Sequence, residues 1–528
     1  MAKDSRNRNF KKNKNFNYVK IAAIIIPAII TFIVYLPSLN NDFVHWDDDE
    51  YVYKNTKITT LNLQFIEWAF STFDIHNWHP LTWISYAIDY SIWGIDPFGY
   101  HLTNICIHSL NTFLVGFLVL VLFFPVKKSQ YAGLHSYRLI SITAFLTAIL
   151  FGIHPIHVES VAWISERKDV LYAFFYLLSL IFYIRYSIKK YALFYYLLSI
   201  IAFLFSVLSK PMAVSLPFVL LIFDFYPLNR IHTVLLKKLM LEKIPFFLIS
   251  GIVSFIAIIT HQRIVATLNL FSIQERLIIS VRTIVFYIQQ FFKSTNLSPY
   301  YHLKLPVTFT FHDLVSIIIV IGITLSCILL QRKNRIWICA WSYYVITLLP
   351  TLAIIQTGSQ TAADRYTYLP LLGPIFLVAL GVSKGAEKIF ALHKLKNFLI
   401  IVCVFSTAII LSIMSKITIG QISIWKDSIS LWSRVIHVSP FDSSKPYRLR
   451  GLAFYQKGNY FQALSDYTLA LQLDPSDSMA YYYRGIVYFT VGNYAMALKD
   501  FENSISIEIV SYDIFNYRDI SKKMLGQK

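Results

Sequence analysis

Hydrophobic segments of about the length of a membrane span recur from Lys20 to Ile417, and they constrain the fold more than any other feature. Of the 528 residues, 56% are hydrophobic and only 15% are charged, against roughly a quarter charged in soluble domains. The net charge of +19 comes from basic residues that cluster between the apolar segments, as in cytoplasmic loops of membrane proteins. No basic–aromatic nucleic-acid motif occurs. We therefore predict an all-α, polytopic membrane protein with no nucleic-acid partner.

The charges between the segments predict the topology. Residues 1–20 carry seven Lys or Arg and one Asp, so we expect a cytoplasmic basic N-terminus. The first apolar segment lacks a small-residue cleavage site, so it reads as a retained helix. Segment 276–292 carries Arg276, Arg282, Gln289 and Gln290, and we interpret it as an amphipathic helix on the outer surface. The predicted spans of a membrane domain over residues 21–415 are eleven: 19–36, 101–125, 139–153, 170–187, 191–209, 212–227, 244–260, 313–330, 336–354, 368–382 and 398–415.

Four consecutive acids, Asp47 to Glu50, follow the first span, in a first outer loop over residues 40–100. Ionised carboxylates beside a membrane repel one another and lose water, so they persist where a cation, a basic partner or a proton uses them. The alternative is a solvated acidic loop.

The C-terminal region, residues 425–528, contains a repeat. Gly451, Gly458, Tyr460 and Ala463 recur 34 residues later as another Gly, Gly, Tyr and Ala, which is the tetratricopeptide period. Full repeats are predicted at about 446–479 and 480–513, with a degenerate half-unit at 425–440 and a cap at 504–525. Two repeats are few for independent stability, so we expect this tail to lean on the membrane domain or on a partner.

The topology places the informative polar residues on one side of the membrane. The Lys and Arg side chains among them can hold a lipid-linked phosphate or diphosphate, and a carboxylate can deprotonate an incoming hydroxyl. Asp224 lies near a cytoplasmic helix end and is expected to cap the helix or to form an ion pair. The candidate site residues are Asp47, Asp48, His79, His154, His157, Glu159, Arg167, Lys168, Asp169, Lys210, Asp364 and Arg365.

Structural roles remain open for several of these residues. His79 and His154 precede prolines, as at helix starts. Arg167, Lys168 and Asp169 could form a local ion pair, and Lys210 and Arg365 could snorkel at the interface. No zinc spacing such as HExxH occurs. Metal dependence stays open, because Asp47, Asp48 and Asp49 could bind Mg²⁺ or Mn²⁺, whereas a leaving group held by Arg and Lys would not require a cofactor.

A series of short motifs covers most of the membrane region and resembles a known family. Together with the repeats, it is similar to bacterial relatives of the transmembrane and tetratricopeptide-repeat O-mannosyltransferases, which are GT-C superfamily glycosyltransferases. The motifs are Trp46-Asp-Asp48, His79-Pro-Leu-Thr82, Gly99-Tyr-His-Leu-Thr-Asn104, His154-Pro-Ile-His-Val-Glu159, Glu166-Arg-Lys-Asp169, Ser209-Lys-Pro211 and Ala363-Asp-Arg-Tyr-Thr-Tyr-Leu-Pro370.

The resemblance implies a GT-C fold of about eleven membrane helices with its active site on the non-cytoplasmic face. Asp47 and Asp48 would act as catalytic base or acceptor-positioning group, and Arg167, Lys210 and Arg365 would meet the donor phosphate. Two differences from the family pattern limit which properties of the family can be transferred to this sequence. The eukaryotic members have many more repeats, and where they have a Gly-Arg-Ala-Asp-like sequence this chain has Glu166-Arg-Lys-Asp169, which leaves the role of Lys168 open.

The leading hypothesis is a multi-pass glycosyltransferase of the bacterial inner membrane with extracytoplasmic repeats. It would move a sugar, with mannose as one candidate, from a polyprenyl-phosphate carrier to a hydroxyl of an exported protein, which the repeats would bind. The main rival is a membrane-anchored scaffold with a degenerate enzyme domain. A lipid-linked-sugar transporter ranks last, because the polar residues gather on one face and no inverted repeat is seen.

Overall fold

The computed structural model describes residues 2–73, 78–123, 137–188, 192–260, 271–302, 307–352, 360–390 and 396–527. The basic pairs Lys127-Lys128 and Lys189-Lys190, which helped to predict the topology, lie outside the described residues. Within them the protein is built from α-helices, and one two-stranded antiparallel sheet pairs β1 (Tyr301–His302) with β2 (Gln360–Ala362).

Each of the eleven predicted spans is helical. The helices are α1 (Ala2–Tyr35), α4 (Pro97–Phe123), α5 (Tyr137–Ile153), α7 (Arg167–Ile188), α8 (Ala192–Ser209), α9 (Leu216–Phe225), α10 (Leu236–Thr260), α12 (Phe311–Leu330), α13 (Ile336–Leu348), α14 (Leu372–Phe390) and α15 (Lys396–Ile422). Among the described residues, seven helices, or eight with one bent pair, are long and apolar enough to cross a membrane. The rest are shorter or carry more charge. The predicted all-α, multi-pass membrane fold is confirmed.

Short elements connect the spans on the side of the acidic stretch. Because Pro155 ends the apolar run of α5, the chain bends by 51° there before continuing toward α7. The segment predicted to be amphipathic forms a helix that buries one face, including Ile279, Ile284 and Tyr287. The connecting helices are α2 (Leu63–Ser71), α3 (Pro80–Trp93), α6 (Val158–Ala162) and α11 (Ile273–Phe292).

The tail consists of paired helices, as the repeat predicts. Gly485 lies against the ring of Phe501, where an added Cβ would be 2.7 Å from a ring carbon, so the repeated glycine lets two helices approach closely. The bidentate pairs Arg450–Asp466 and Arg484–Asp500 recur at the same 34-residue offset. The helices are α16 (Ser428–Val438), α17 (Lys445–Gln456), α18 (Tyr460–Leu473), α19 (Ser478–Thr490), α20 (Tyr494–Ile507) and α21 (Asp513–Met524).

The tail packs against the membrane domain, as we expected from its two repeats. Ser428 accepts a hydrogen bond from the His45 backbone N–H (2.7 Å). Arg434 donates from its guanidinium to the carbonyls of Leu297 (3.1 Å) and Thr295 (3.0 Å). Trp432 is fully buried, with its ring 5.2 Å from that of Trp46. The first outer loop and the tail therefore share one packed interface.

Candidate active site

Asp48 is held rigidly in the turn that follows α1. Its Oδ2 accepts the Val44 N–H (2.9 Å), which closes the turn, and its Oδ1 accepts the backbone N–H (2.9 Å) and the hydroxyl of Ser165. The side chain is buried, and this burial raises its pKa to about 7, although the bonds from Ser165 and Val44 favour the ionised form. Asp48 thus ties the first outer loop to the turn before α7.

Asp47 has a different environment. Its side chain is half-buried, and it forms no hydrogen bond or ion pair with any residue that the structure describes. Burial raises the pKa of Asp47, while the charges of Lys168, Arg365 and Lys445 oppose that rise. A carboxylate that faces cations without being bonded to them can accept a proton from a substrate hydroxyl.

Asp49 turns away from its two neighbours. Its Oδ2 contacts Lys54 Nζ (2.8 Å) and His45 Nδ1 (3.3 Å). Across the described ranges, no group of three or more His, Cys, Asp or Glu side chains is placed to hold a metal ion. The acidic stretch therefore does not fit a Mg²⁺ or Mn²⁺ site built from Asp47, Asp48 and Asp49.

Three cations from three separate parts of the chain converge on Glu166. Lys168 at the start of α7 lies 3.1 Å from Glu166 Oε1, Lys210 between α8 and α9 lies 3.2 Å from Oε2, and Nε of Arg365 before α14 lies 3.3 Å from Oε1. All these side chains are buried or nearly so. Charges at this depth need partners, and Glu166 serves all three cations.

Two further acids complete the cluster. Glu159 pairs with the Arg365 guanidinium and accepts the Arg365 backbone N–H (3.0 Å). Asp169 contacts Lys210 Nζ (2.5 Å) and accepts from Ser160 (3.1 Å). Asp364 lies beside the cluster and accepts from the Tyr301 hydroxyl (3.0 Å), and its pKa is raised well above the ordinary value by burial, with a contribution from Glu159.

Arg167 does not join this cluster. Its side chain is fully buried and points toward α3 and α4, where it binds Asp89 (2.6 Å), the Tyr100 carbonyl (2.8 Å) and the Asn104 side chain. Because these internal partners occupy the guanidinium, the geometry gives Arg167 a structural role rather than the donor-phosphate contact expected from the sequence.

The histidines lie at helix starts. His79 is buried immediately before Pro80, the first residue of α3. His154 receives the Ile156 N–H and stacks on Phe291, with ring centroids 5.0 Å apart. His157 Nδ1 lies 2.8 Å from the Phe151 carbonyl oxygen. These contacts fit the structural alternative that the His-Pro spacing left open.

Sequence reasoning did not select four residues that shape the site: Glu166, Ser165, Trp46 and Lys445. Glu166 was visible inside the motif Glu166-Arg-Lys-Asp169 but was not assigned a role. Trp46 stacks on Trp163 with centroids 4.6 Å apart, and Arg365 lies over both rings. Lys445 belongs to α17, some 400 positions away in sequence, and only a tertiary contact could reveal it.

Comparisons with known proteins agree with the motifs. The tetratricopeptide repeat model matches residues 451–492. Protein O-mannosyl-transferase F38B6.6 of Caenorhabditis elegans is 26% identical over 86% of this chain and 63% of its own length. The human Protein O-mannosyl-transferase TMTC4 is 24% identical over 84% of this chain and 65% of its own length. The resemblance to these transferases is confirmed, and the chain spans less than two thirds of either relative.

One solved structure also aligns along most of the chain. It is ArnT from Cupriavidus metallidurans bound to undecaprenyl phosphate, at 13% identity over 91% of this chain and 79% of that one, with a TM-score of 0.34. A score this low does not establish a common fold.

Proposed function

We propose that this protein is an integral-membrane glycosyltransferase of the GT-C type. It would move a sugar, with mannose as first candidate, from a polyprenyl-phosphate carrier to a hydroxyl of an exported protein. One observation carries the proposal: Lys168, Lys210 and Arg365 meet on Glu166 beside Asp47, a carboxylate with no bonded partner among the described residues. The similarity to protein O-mannosyl-transferases supports the reaction class.

The residues divide the reaction between them. Asp47 takes the proton of the acceptor hydroxyl as its oxygen forms a bond to the anomeric carbon of the sugar. The bond from that carbon to the carrier phosphate breaks, and the phosphate leaves with the electron pair. Arg365, Lys168 and Lys210 stabilise the charge that develops on the leaving phosphate. Asp48 orients the loop that carries Asp47.

Glu166 keeps the cations in place before the donor arrives. The Lys and Arg side chains would otherwise spread apart by mutual repulsion, and reorganisation during the reaction would be costly. A bound donor phosphate would share these cations with Glu166 and Glu159, which are paired with them. The preorganised cluster is therefore an anion site with its geometry already set.

The proposed membrane orientation follows the charge pattern of the sequence. The basic N-terminus lies in the cytoplasm of a bacterium, and α1 carries the chain outward across the inner membrane. The cluster then faces the extracytoplasmic side, where the repeats bind an extended segment of the acceptor protein.

The test is transfer of labelled sugar from polyprenyl-phosphate donors to extracytoplasmic proteins by the purified full chain. We expect Asp47→Asn to fold normally, because no hydrogen bond is lost, and to lower turnover by about 10²–10⁴-fold. Asp42→Asn, an exposed acid in the same loop, is the matched control and retains activity. A fully active Asp47→Asn variant would reject Asp47 as the base. No transfer by well-folded wild type from any donor would favour the scaffold.

A further inference from the structure

The second helix of the tetratricopeptide tail places a lysine beside the candidate active site. Lys445, the first residue of α17, extends its ammonium over the rings of Trp46 (5.9 Å) and Tyr300 (5.3 Å). The side chain is half-buried, and its Nζ forms no ion pair with a carboxylate among the described residues. Trp46 directly precedes Asp47 in the sequence, and the charges of Lys445 and Asp47 are close enough to influence each other.

The position of Lys445 is set by the interface between the tail and the first outer loop. The loop and the tail exchange two backbone-directed hydrogen bonds, from the N–H of Asp42 to the Lys426 carbonyl (2.8 Å) and from the N–H of His45 to Ser428. Trp432 packs against Trp46 in the same interface. The lysine is thus presented by a packed contact rather than by a loose tail.

The charges around Asp47 come from four elements. Asp48 lies next to it in the turn, Glu166 and Lys168 face it from the start of α7, Arg365 faces it from the turn before α14, and Lys445 faces it from α17. Burial lowers the pKa of Lys445, with Arg448 and Arg365 acting in the same direction and Asp47 opposing them.

We propose that Lys445 is a positioning residue that helps Lys168 and Arg365 to keep Asp47 ionised, so that the tetratricopeptide tail forms part of the active site as well as the acceptor-binding surface. The inference rests on the proposed function, because Asp47 must be ionised to accept the hydroxyl proton. Lys168 and Arg365 also favour the ionised form of Asp47, but they are paired with Glu166 and Glu159 as well. The Lys445 ammonium forms no ion pair with a carboxylate among the described residues.

The pH dependence of sugar transfer tests the inference. Removing the positive charge raises the Asp47 pKa, so we expect Lys445→Met to move the acid limb of the pH–rate profile upward by about 0.5–1 unit. Lys445→Arg keeps the charge and restores the wild-type profile. Lys457 lies at the end of the same helix and pairs with Asp427. As the control, Lys457→Met leaves the pH–rate profile unchanged. An unshifted limb in Lys445→Met would overturn the proposal.

A second measurement does not depend on transferase activity. Competitive acetylation of the folded full chain over a range of pH, read by mass spectrometry, reports the Lys445 pKa. We expect Asp47→Asn to lower that pKa further, because the opposing negative charge is gone, and to leave the labelling of Lys457 unchanged. If the lysine responds but no donor supports transfer, the coupling stands and the proposed function fails. If Lys445 is insensitive to Asp47→Asn, the coupling itself is absent.

Discussion

At the scale of single residues, two adjacent acids in one turn have different partners. Asp48 is hydrogen-bonded to Val44 and Ser165, whereas the Asp47 carboxylate forms no hydrogen bond among the described residues and feels the charges of Lys168, Arg365 and Lys445. Their positions in the sequence are equivalent, and the hydrogen bonds of the fold distinguish them. Burial of Asp48, which raises its pKa, makes the residue a pH-dependent element of stability.

We expect the stability contributed by Asp48 to fall as pH rises. Its pKa in the folded protein is raised to about 7, so between roughly pH 4 and 7 the folded state binds more protons than the unfolded state, and the free energy of unfolding decreases by at most about 1.4 kcal/mol per pH unit. The decrease ends above the folded-state pKa.

Asp48→Asn removes this titration, so the free energy of unfolding of the variant declines less steeply as pH rises. Unfolding midpoints in detergent from about pH 5 to about pH 8 check this. Other buried carboxyls titrate in both proteins and cancel in the comparison. Parallel curves for the two proteins would contradict the assignment.

At the scale of elements, a second polar cluster ties α7, α9 and α10 together at the opposite ends of the spans. Asp224 accepts from the Tyr183 hydroxyl (2.8 Å) and from Arg230 (3.1 Å), and it pairs with Lys243. Glu242 holds the other side of Arg230 (2.9 Å). Asp224 therefore forms ion pairs, as its location near a helix end predicted. This Asp224 cluster stabilises the packing of the three helices.

Removing the acid of the Asp224 cluster should lower the free energy of unfolding substantially. Asp224→Ala leaves Lys243 and Arg230 buried without their shared anion, so we expect a loss of about 3–5 kcal/mol, seen as a lower unfolding midpoint in detergent. Adding Lys243→Met should recover part of that loss, because one unpaired charge disappears. Asp519→Ala removes an exposed ion pair and serves as the control with little effect. Equal losses of stability in Asp224→Ala and Asp519→Ala would show that the Asp224 cluster does not stabilise the fold.

At the scale of the whole molecule, the tail and the membrane domain form one folded body. Trp425 stacks on Trp163 (5.2 Å) and Trp432 packs on Trp46, so aromatic rings from the tail complete the core beneath the site. A tail with two repeats gains through this contact the burial that it could not reach alone.

Trp432→Ala should loosen this docking. A large, fully buried side chain is lost, at a cost of about 3–5 kcal/mol, and we expect faster proteolysis between α15 and α16 together with weaker sugar transfer. Trp337→Ala, at a half-exposed position on α13, is the matched control. A junction that stays as protected as in wild type would show that the tail docks without this anchor.

Local patterns along the chain determined much of this protein. The apolar segments predicted the helices of the membrane domain, because a membrane requires long helices that satisfy their own backbone. Among the described residues, seven of these helices, or eight with one bent pair, are long and apolar enough to cross a membrane. The 34-residue offset predicted the paired helices of the tail, because each repeat must bury the same face. The motifs also placed Lys210, Arg365, Glu159 and Asp169 together, since loops of the same parity meet at one side of the membrane.

Pairing and burial were decided by the tertiary structure alone. The sequence could not show that Arg167 turns to Asp89, that Glu166 pairs with three cations, or that Lys445 of the tail lies over the ring of Trp46. A charge next to an apolar segment looks the same whether its partner is a substrate or a buried side chain. Only distances between residues remote in sequence separate the two cases, because the cost of burying a charge depends on what lies opposite it.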